Sequence, residues 1–184
     1  MEALLVFVPV LGAPLLHAPV LRFDLLRGLK LPLDGGRTLR GRRLFGANKT
    51  VRGAQCMTLG VLLATLALEA LWPAWWDALP DDLRDAGPAL VGLLVGLGIV
   101  LGELPNSLLK RQLDIAPGSQ RRSAGGLALT VLDQGDLVLG VWVLLLPVYV
   151  MPAWVALLAF VVVSAVHLPI NVIGYAIGAR TAPI

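Results

Sequence analysis

Hydrophobic and polar positions in this chain come in long blocks rather than short periods. Five apolar stretches stand out, at about 3–21, 53–71, 87–109, 127–150 and 153–178, separated by polar, charged segments. Runs of this length match the roughly 20 residues an α-helix needs to cross the hydrocarbon core of a bilayer. They are too continuous for barrel strands, which alternate apolar and polar positions. The pattern predicts an all-α integral membrane protein of five transmembrane helices, a single domain over 1–184, lodged in the cell membrane. The first stretch carries Pro9, Pro14 and Pro19 and so reads as a kinked or irregular span. Only Glu2 precedes it and the basic residues follow it, so it reads as a retained span and not as a signal peptide.

Composition agrees: 57% of the 184 residues are hydrophobic and 15% charged, which excludes an ordinary soluble domain. The single cysteine, Cys56, excludes an internal disulfide and a cysteine metal cluster. The placement of charge says more than the net +3. Nine basic residues fall between the first two stretches (Arg22, Arg27, Lys30, Arg37, Arg40, Arg42, Arg43, Lys49, Arg52), and Lys110, Arg111, Arg121 and Arg122 between the third and fourth. The loop between the second and third holds only Arg84 against Asp77, Asp81, Asp82 and Asp85. The positive-inside rule then puts the N-terminus out and the C-terminus in. Trp72, Trp75, Trp76 and Trp154 fall at the opposite interface, where an aromatic belt is expected.

Two acids interrupt the fourth stretch. Asp133 and Asp136 stand at i, i+3 on one helical face. A carboxylate in hydrocarbon costs about 2.5–3.5 kcal/mol on insertion scales, and two close together repel unless a metal or a proton lies between them. Asp133 sits about 9 Å along the helix from Leu127, so the pair lies near the cytosolic end. At the same end of the third stretch Glu103, Asn106, Ser107, Lys110 and Arg111 share a helical stripe, interrupted by Pro105; Glu103 there is open to a structural ion pair. Arg121 and Arg122 with Gly125 and Gly126 form a basic turn open to two readings, a solvated loop or a phosphate cradle. Asn48, Lys49 and Arg52 abut the second span, where they suit either phosphate at a helix start or anionic lipid headgroups. His167 and Asn171 read as contacts to a neighbouring helix, and His17, beside Pro14 and Pro19, as structural. The acids, cations and glycines converge on a polar cavity at the cytosolic face. That set suits transfer of a phosphorus group to or from a lipid, with a metal offsetting polyphosphate charge. An ion- or proton-coupled transporter is the other class the membrane acids admit. No nucleic-acid partner is expected. The Gly92–Gly96 pair leaves helix packing within the chain or in a homo-oligomer equally open.

Taken in order, DGGRT (34–38), FGANKTVRG (45–53), the GE…SLLKR segment (102–111), DQGD (133–136) and HLPIN (167–171) resemble the CDP-archaeol synthases. These are five-span CTP-dependent cytidylyltransferases related to CDP-diacylglycerol synthases, and the resemblance covers nearly the whole chain. It implies that CTP and Mg²⁺ bind at the cytosolic face. It also implies that a lipid phosphate (phosphatidic acid or an ether-lipid phosphate) attacks the α-phosphorus and pyrophosphate leaves. By the same resemblance Asp133 and Asp136 hold metal, joined by Glu103, and Lys110 and Arg111 hold the triphosphate. Asn48, Lys49 and Arg52 hold a phosphate partner, and Ser107 fills the polar position before the basic pair. The chain departs from the family pattern at Glu103, usually aspartate, at Asn106, usually lysine, and at Gly135, usually bulkier and apolar. Those departures keep a non-catalytic lipid- or nucleotide-binding relative as the third expectation.

Overall fold

A computed structural model of the chain describes residues 2–115 and 124–176, with side chains described except at 124–134 and 166–175. It is mostly helical. The chain opens with a 3-10 segment, Glu2–Leu11, with Pro9 inside it, which runs directly into α1, Gly12–Arg22. The remaining helices are α2 (Val51–Leu71), α3 (Pro73–Asp77), α4 (Asp81–Ala86), α5 (Pro88–Gln112), α6 (Ala124–Leu145) and α7 (Ala153–Ala176). Among the described residues, Glu2–Arg22, Val51–Leu71 and Pro88–Gln112 are long and apolar enough to cross a membrane; Gly135–Leu145 and Ala153–Ala165 are shorter apolar stretches of α6 and α7. Outward-facing Leu15, Leu63, Leu71, Leu157 and Val161 are exposed, as a hydrocarbon-facing surface requires.

The irregular first span takes a definite form. Proline lacks the amide that continues an α-helical ladder, and here the proline-bearing N-terminal half adopts the tighter 3-10 winding. α2 begins at Thr50, whose hydroxyl accepts from Gly53 N at 3.1 Å, a capping bond for an otherwise unsatisfied amide. α5 begins with Pro88 after Gly87, whose φ of 83° lets the chain turn sharply out of α4.

α5 is the central helix because glycine lets its backbone approach two neighbours. A Cβ on Gly92 or Gly96 would lie 2.8 Å from Thr65 Oγ and from the Thr58 carbonyl of α2, respectively. On the other side, a Cβ on Gly98 would lie 2.6 Å from Val141 Cα, and one on Gly102 would strike the Asp136 carbonyl of α6. Gly140 of α6 returns the contact to Gly98 and Gly102. Close backbone approach through small residues is how helices associate in lipid, where burial of apolar surface supplies no net drive. The Gly92–Gly96 pair is thus used within the chain. α1 meets α2 in the same way, backbone to backbone at Gly12 and Gly60.

The loop between α2 and α5 is not a plain aromatic belt. It folds into α3 and α4, and Trp75 is 2% exposed, with Nε1 donating to the Leu5 carbonyl at 3.2 Å. Trp75 therefore closes the core from that end, whereas Trp72 and Trp154 lie on the surface. The fourth apolar stretch ends its helix at Leu145, short of the expected 150.

Candidate active site

The long basic loop after α1 is folded and docks against the far end of α5. Residues 31–33 run antiparallel to 49–51: Leu33 N donates to the Lys49 carbonyl and Val51 N to the Leu31 carbonyl, both at 2.8 Å. This pairing orients Lys49 just ahead of α2. Between the two arms the chain makes the turn expected at Asp34–Arg37, with Gly35 and Gly36 at positive φ. A short hairpin follows, β1 (Thr38–Leu39) with β2 (Arg42–Arg43), reversing through Arg40 and Gly41, also at positive φ.

Asp34 is the knot of this loop. Its side chain is fully buried, and its carboxylate pairs with Arg43 and accepts from the amides of Gly36 (2.9 Å), Phe45 (3.1 Å) and Gly46 (3.2 Å). The Arg43 guanidinium, helped by those amides, holds the Asp34 carboxyl far below the usual carboxylate range against the opposing effect of burial. The residue before Arg43, Arg42, pairs with Asp114 and the Gln112 carbonyl, bracing the end of α5, where a cation also complements the helix dipole.

The site lies where this loop meets α5 and α6. Lys49 forms an ion pair with Glu103 of α5, both groups roughly one-third exposed or less. Glu103, left open to a structural ion pair on sequence grounds, thus takes its cation from the loop. One turn on, Asn106, 7% exposed, donates from Nδ2 to Asp136 Oδ2 of α6 at 3.1 Å. The glycine contact at Gly102 places Glu103 and Asp136 at one level, because the two backbones touch between them. Asp133 stands one turn earlier on α6. Ser107, Lys110 and Arg111 continue along α5 beneath the loop, all half-buried. Gly46, at φ 89°, lies against Arg111: a Cβ there would be 3.3 Å from Arg111 Cδ. Arg111 Nε is buried and finds no acceptor among the described residues.

The other two first-loop residues, Arg52 and Asn48, flank Lys49. Arg52 is 4% exposed; its Nη1 donates to Asp24 Oδ1 and the Leu25 carbonyl, each at 2.7 Å, while its buried Nε finds no acceptor among the described residues. This pairing clasps the exit of α1 to the start of α2 and holds the Asp24 carboxyl below its ordinary range. Asn48 is exposed, next to Lys49 in the loop. Arg121 and Arg122, and the side chains of Asp133, His167 and Asn171, lie outside the described residues. Gly135 has a packing reason: a Cβ would come within 3.2 Å of the Phe160 ring of α7. The Asp34 knot and the Arg42 brace escaped the sequence reading, which took that segment only as a turn and a basic loop.

The oxygen donors suit a hard divalent cation. Among the described residues no three His, Cys, Asp or Glu side chains gather into a cage. Mg²⁺ does not need one: it is typically held by one or two carboxylates together with substrate phosphates and water. Asp136 also receives a neutral amide from Asn106, which orients the carboxylate without cancelling its charge.

A family model described as CarS-like, CDP-archaeol synthase, matches residues 15–184. The CDP-archaeol synthase of Halobacterium salinarum is 39% identical over 166 residues, 86% of each chain. That of Pyrococcus furiosus is 31% identical over 83% of each chain. A solved structure of an intramembrane enzyme for archaeal membrane lipid biosynthesis superposes with a TM-score of 0.64 and 26% identity, covering 92% of both chains. A match running from Leu15 to the last residue, with relatives above 30% identity across most of the chain, makes this protein a member of the CDP-archaeol synthase family.

Proposed function

We propose that the chain is a multi-pass membrane cytidylyltransferase that transfers CMP from CTP to a lipid phosphate. An oxygen of the lipid phosphate forms a bond to the α-phosphorus of CTP. The bond from that phosphorus to the bridging oxygen breaks, and pyrophosphate leaves with the electron pair. The observation that carries the reading is the meeting of Lys49, Glu103, Asn106 and Asp136 at one end of the bundle, under the half-buried Lys110 and Arg111. Family membership supports the reaction, and the relatives' name supports an archaeol-type ether-lipid phosphate as the acceptor.

In this reading the five helical segments are five spans, with the N-terminus out and the site facing the cytosol, where CTP is available. Asp133, Asp136 and Glu103 would hold Mg²⁺, which when bound neutralises charge on the polyphosphate. The chain's own residues position the reactants. Lys110 and Arg111 hold the triphosphate; the buried Arg111 Nε has hydrogen-bonding capacity left to give. Lys49 reaches the same point from the loop, and Asn106 keeps Asp136 aimed into it. Phosphoryl transfer asks little covalent chemistry of a protein, so alignment of attacking and leaving oxygens in a charged, sheltered site is the main contribution.

The test is pyrophosphate release by the purified protein with CTP and Mg²⁺, supplied separately with an archaeol-type lipid phosphate and with phosphatidic acid. Release that requires CTP, metal and one of the lipids is the expected result. No release with either, from a folded sample, would overturn the reading.

A further inference from the structure

One polar side chain at the edge of this site has no role in the scheme above. His17 lies on α1 in line with the buried Ala13 and Val20, the stripe that packs on α2. The backbone contact of Gly12 with Gly60 draws the two helices close enough for the imidazole to reach the first turn of α2. Its Nε2 is 3.4 Å from where a Cβ would stand on Gly53, and Thr50 Oγ is at the same distance from that point. The charged groups that face it come from three elements: Lys49 in the loop, Arg52 at the start of α2, and Glu103 on α5. His17 itself makes no hydrogen bond to another described residue. Arg52, the third cation here, turns its Nη1 to Asp24 and the Leu25 carbonyl. Arg52 is 4% exposed, whereas His17 and Lys49 are half-buried, so the imidazole and the Lys49 ammonium, the latter paired with Glu103, are the more accessible groups at this corner for an anion.

The surroundings say which anion. His17 is five residues from the end of α1 at Arg22, roughly 7–8 Å at the helical rise. That is the depth of a headgroup rather than of the bilayer centre. The same helix turns Leu15 and Leu21 outward, exposed by 75% and 38%. Asp136 and the Lys110–Arg111 pair, which suit a metal nucleotide, lie on α6 and α5 rather than on α1 or α2. We propose that His17 is a substrate-binding residue: its imidazole N–H, with Lys49, holds the phosphate of the lipid acceptor while the lipid chains lie along the Leu15 face of α1. This assignment rests on the cytidylyltransferase reading and adds where its second substrate sits.

The chain has two histidines, His17 and His167, so full-length protein labelled with ¹⁵N-histidine shows two imidazole systems, and His17→Gln tells them apart. A short-chain lipid phosphate added without CTP should shift the His17 signals, and CTP with Mg²⁺ and no lipid should leave them in place. In turnover, His17→Ala should raise KM for the lipid phosphate about tenfold, the scale of losing one hydrogen bond to a charged group. KM for CTP should stay within about twofold, and His17→Gln, which keeps a donor, should recover part of the loss. His17 signals that ignore the lipid, or that follow CTP instead, would overturn the assignment, as would equal effects on both KM values. Failure of the cytidylyltransferase reading looks different: wild-type protein releases no pyrophosphate with any acceptor, while the lipid-dependent shift is read without turnover.

Discussion

At the scale of single residues the site separates groups that face the reaction from groups that aim them. Asp136 is aimed by Asn106 through one hydrogen bond. Asp136→Asn removes the carboxylate proposed to hold Mg²⁺ while preserving shape. We expect turnover to fall by at least about a hundredfold with folding and insertion retained. Asn106→Ala should raise the Mg²⁺ concentration for half-maximal rate by roughly 10- to 100-fold, the usual cost of losing a partner that orients a ligand. A magnesium titration of both variants checks this, and near-normal rates would remove Asp136 from metal binding. Asp34 works on the loop. Its carboxyl titrates far below the ordinary range in the fold, so the stability it lends is present above the ordinary carboxylate pKa and is lost only as pH falls through the depressed value. Hydrogen exchange at the Phe45 and Gly46 amides should therefore stay slow from pH 8 down to about pH 4, and should speed up at every pH in Asp34→Ala, with a loss of about 2–3 kcal/mol for the charged acceptor. Fast exchange in the wild type at pH 5 would contradict the knot. The acid pair and the basic stripe were legible in the sequence because membrane carboxylates are rare enough to read singly. The partners of Lys49, Arg52 and Asp34 were not, since each pairing depends on how a loop folds back over residues 9 to 54 positions away.

At the scale of elements, α5 carries the site because it touches α2 and α6 through glycine. The two faces should respond differently to a methyl group. Gly92→Ala presses on Thr65, away from the chemistry, so it should cost about 1–3 kcal/mol of stability with most activity retained. Gly102→Ala strikes the Asp136 backbone and moves α6 relative to Glu103, so it should lower the rate by roughly tenfold or more as well as the melting temperature, because small misplacements of reacting groups carry large rate penalties. Equal activity of the two variants would show that the crossing does not set the site. Span positions could be read from hydropathy to within a few residues, as α2 and α5 show. Which glycines pair with which helix could not, because the pattern 92–96 looks the same whether it packs inward or against another copy. Trp75 was misread for a related reason: aromatic residues at an interface and aromatic residues closing a core share one local sequence signal, and only the position of Leu5 separates them.

At the scale of the whole molecule, the basic loop and the end of α5 lie on one side of the bundle, with α3 and α4 on the other. On the proposed topology the basic side faces the cytosol. Cys56 is buried, so single cysteines introduced on the surface can be labelled over little background. A membrane-impermeant maleimide should modify Asp82→Cys in intact cells and reach Arg40→Cys only after permeabilisation; the opposite pattern would invert the topology and place the site outside. The glycine crossings have one more consequence. Spans that touch at the level of their backbones have little freedom to slide past one another, so they meet a change of bilayer thickness by tilting together as a block. The separation of Glu103 from Asp136 is then fixed by contact rather than by the surrounding lipid. An enzyme whose own product becomes membrane can in this way keep its reacting groups in register while the bilayer around it is being remade.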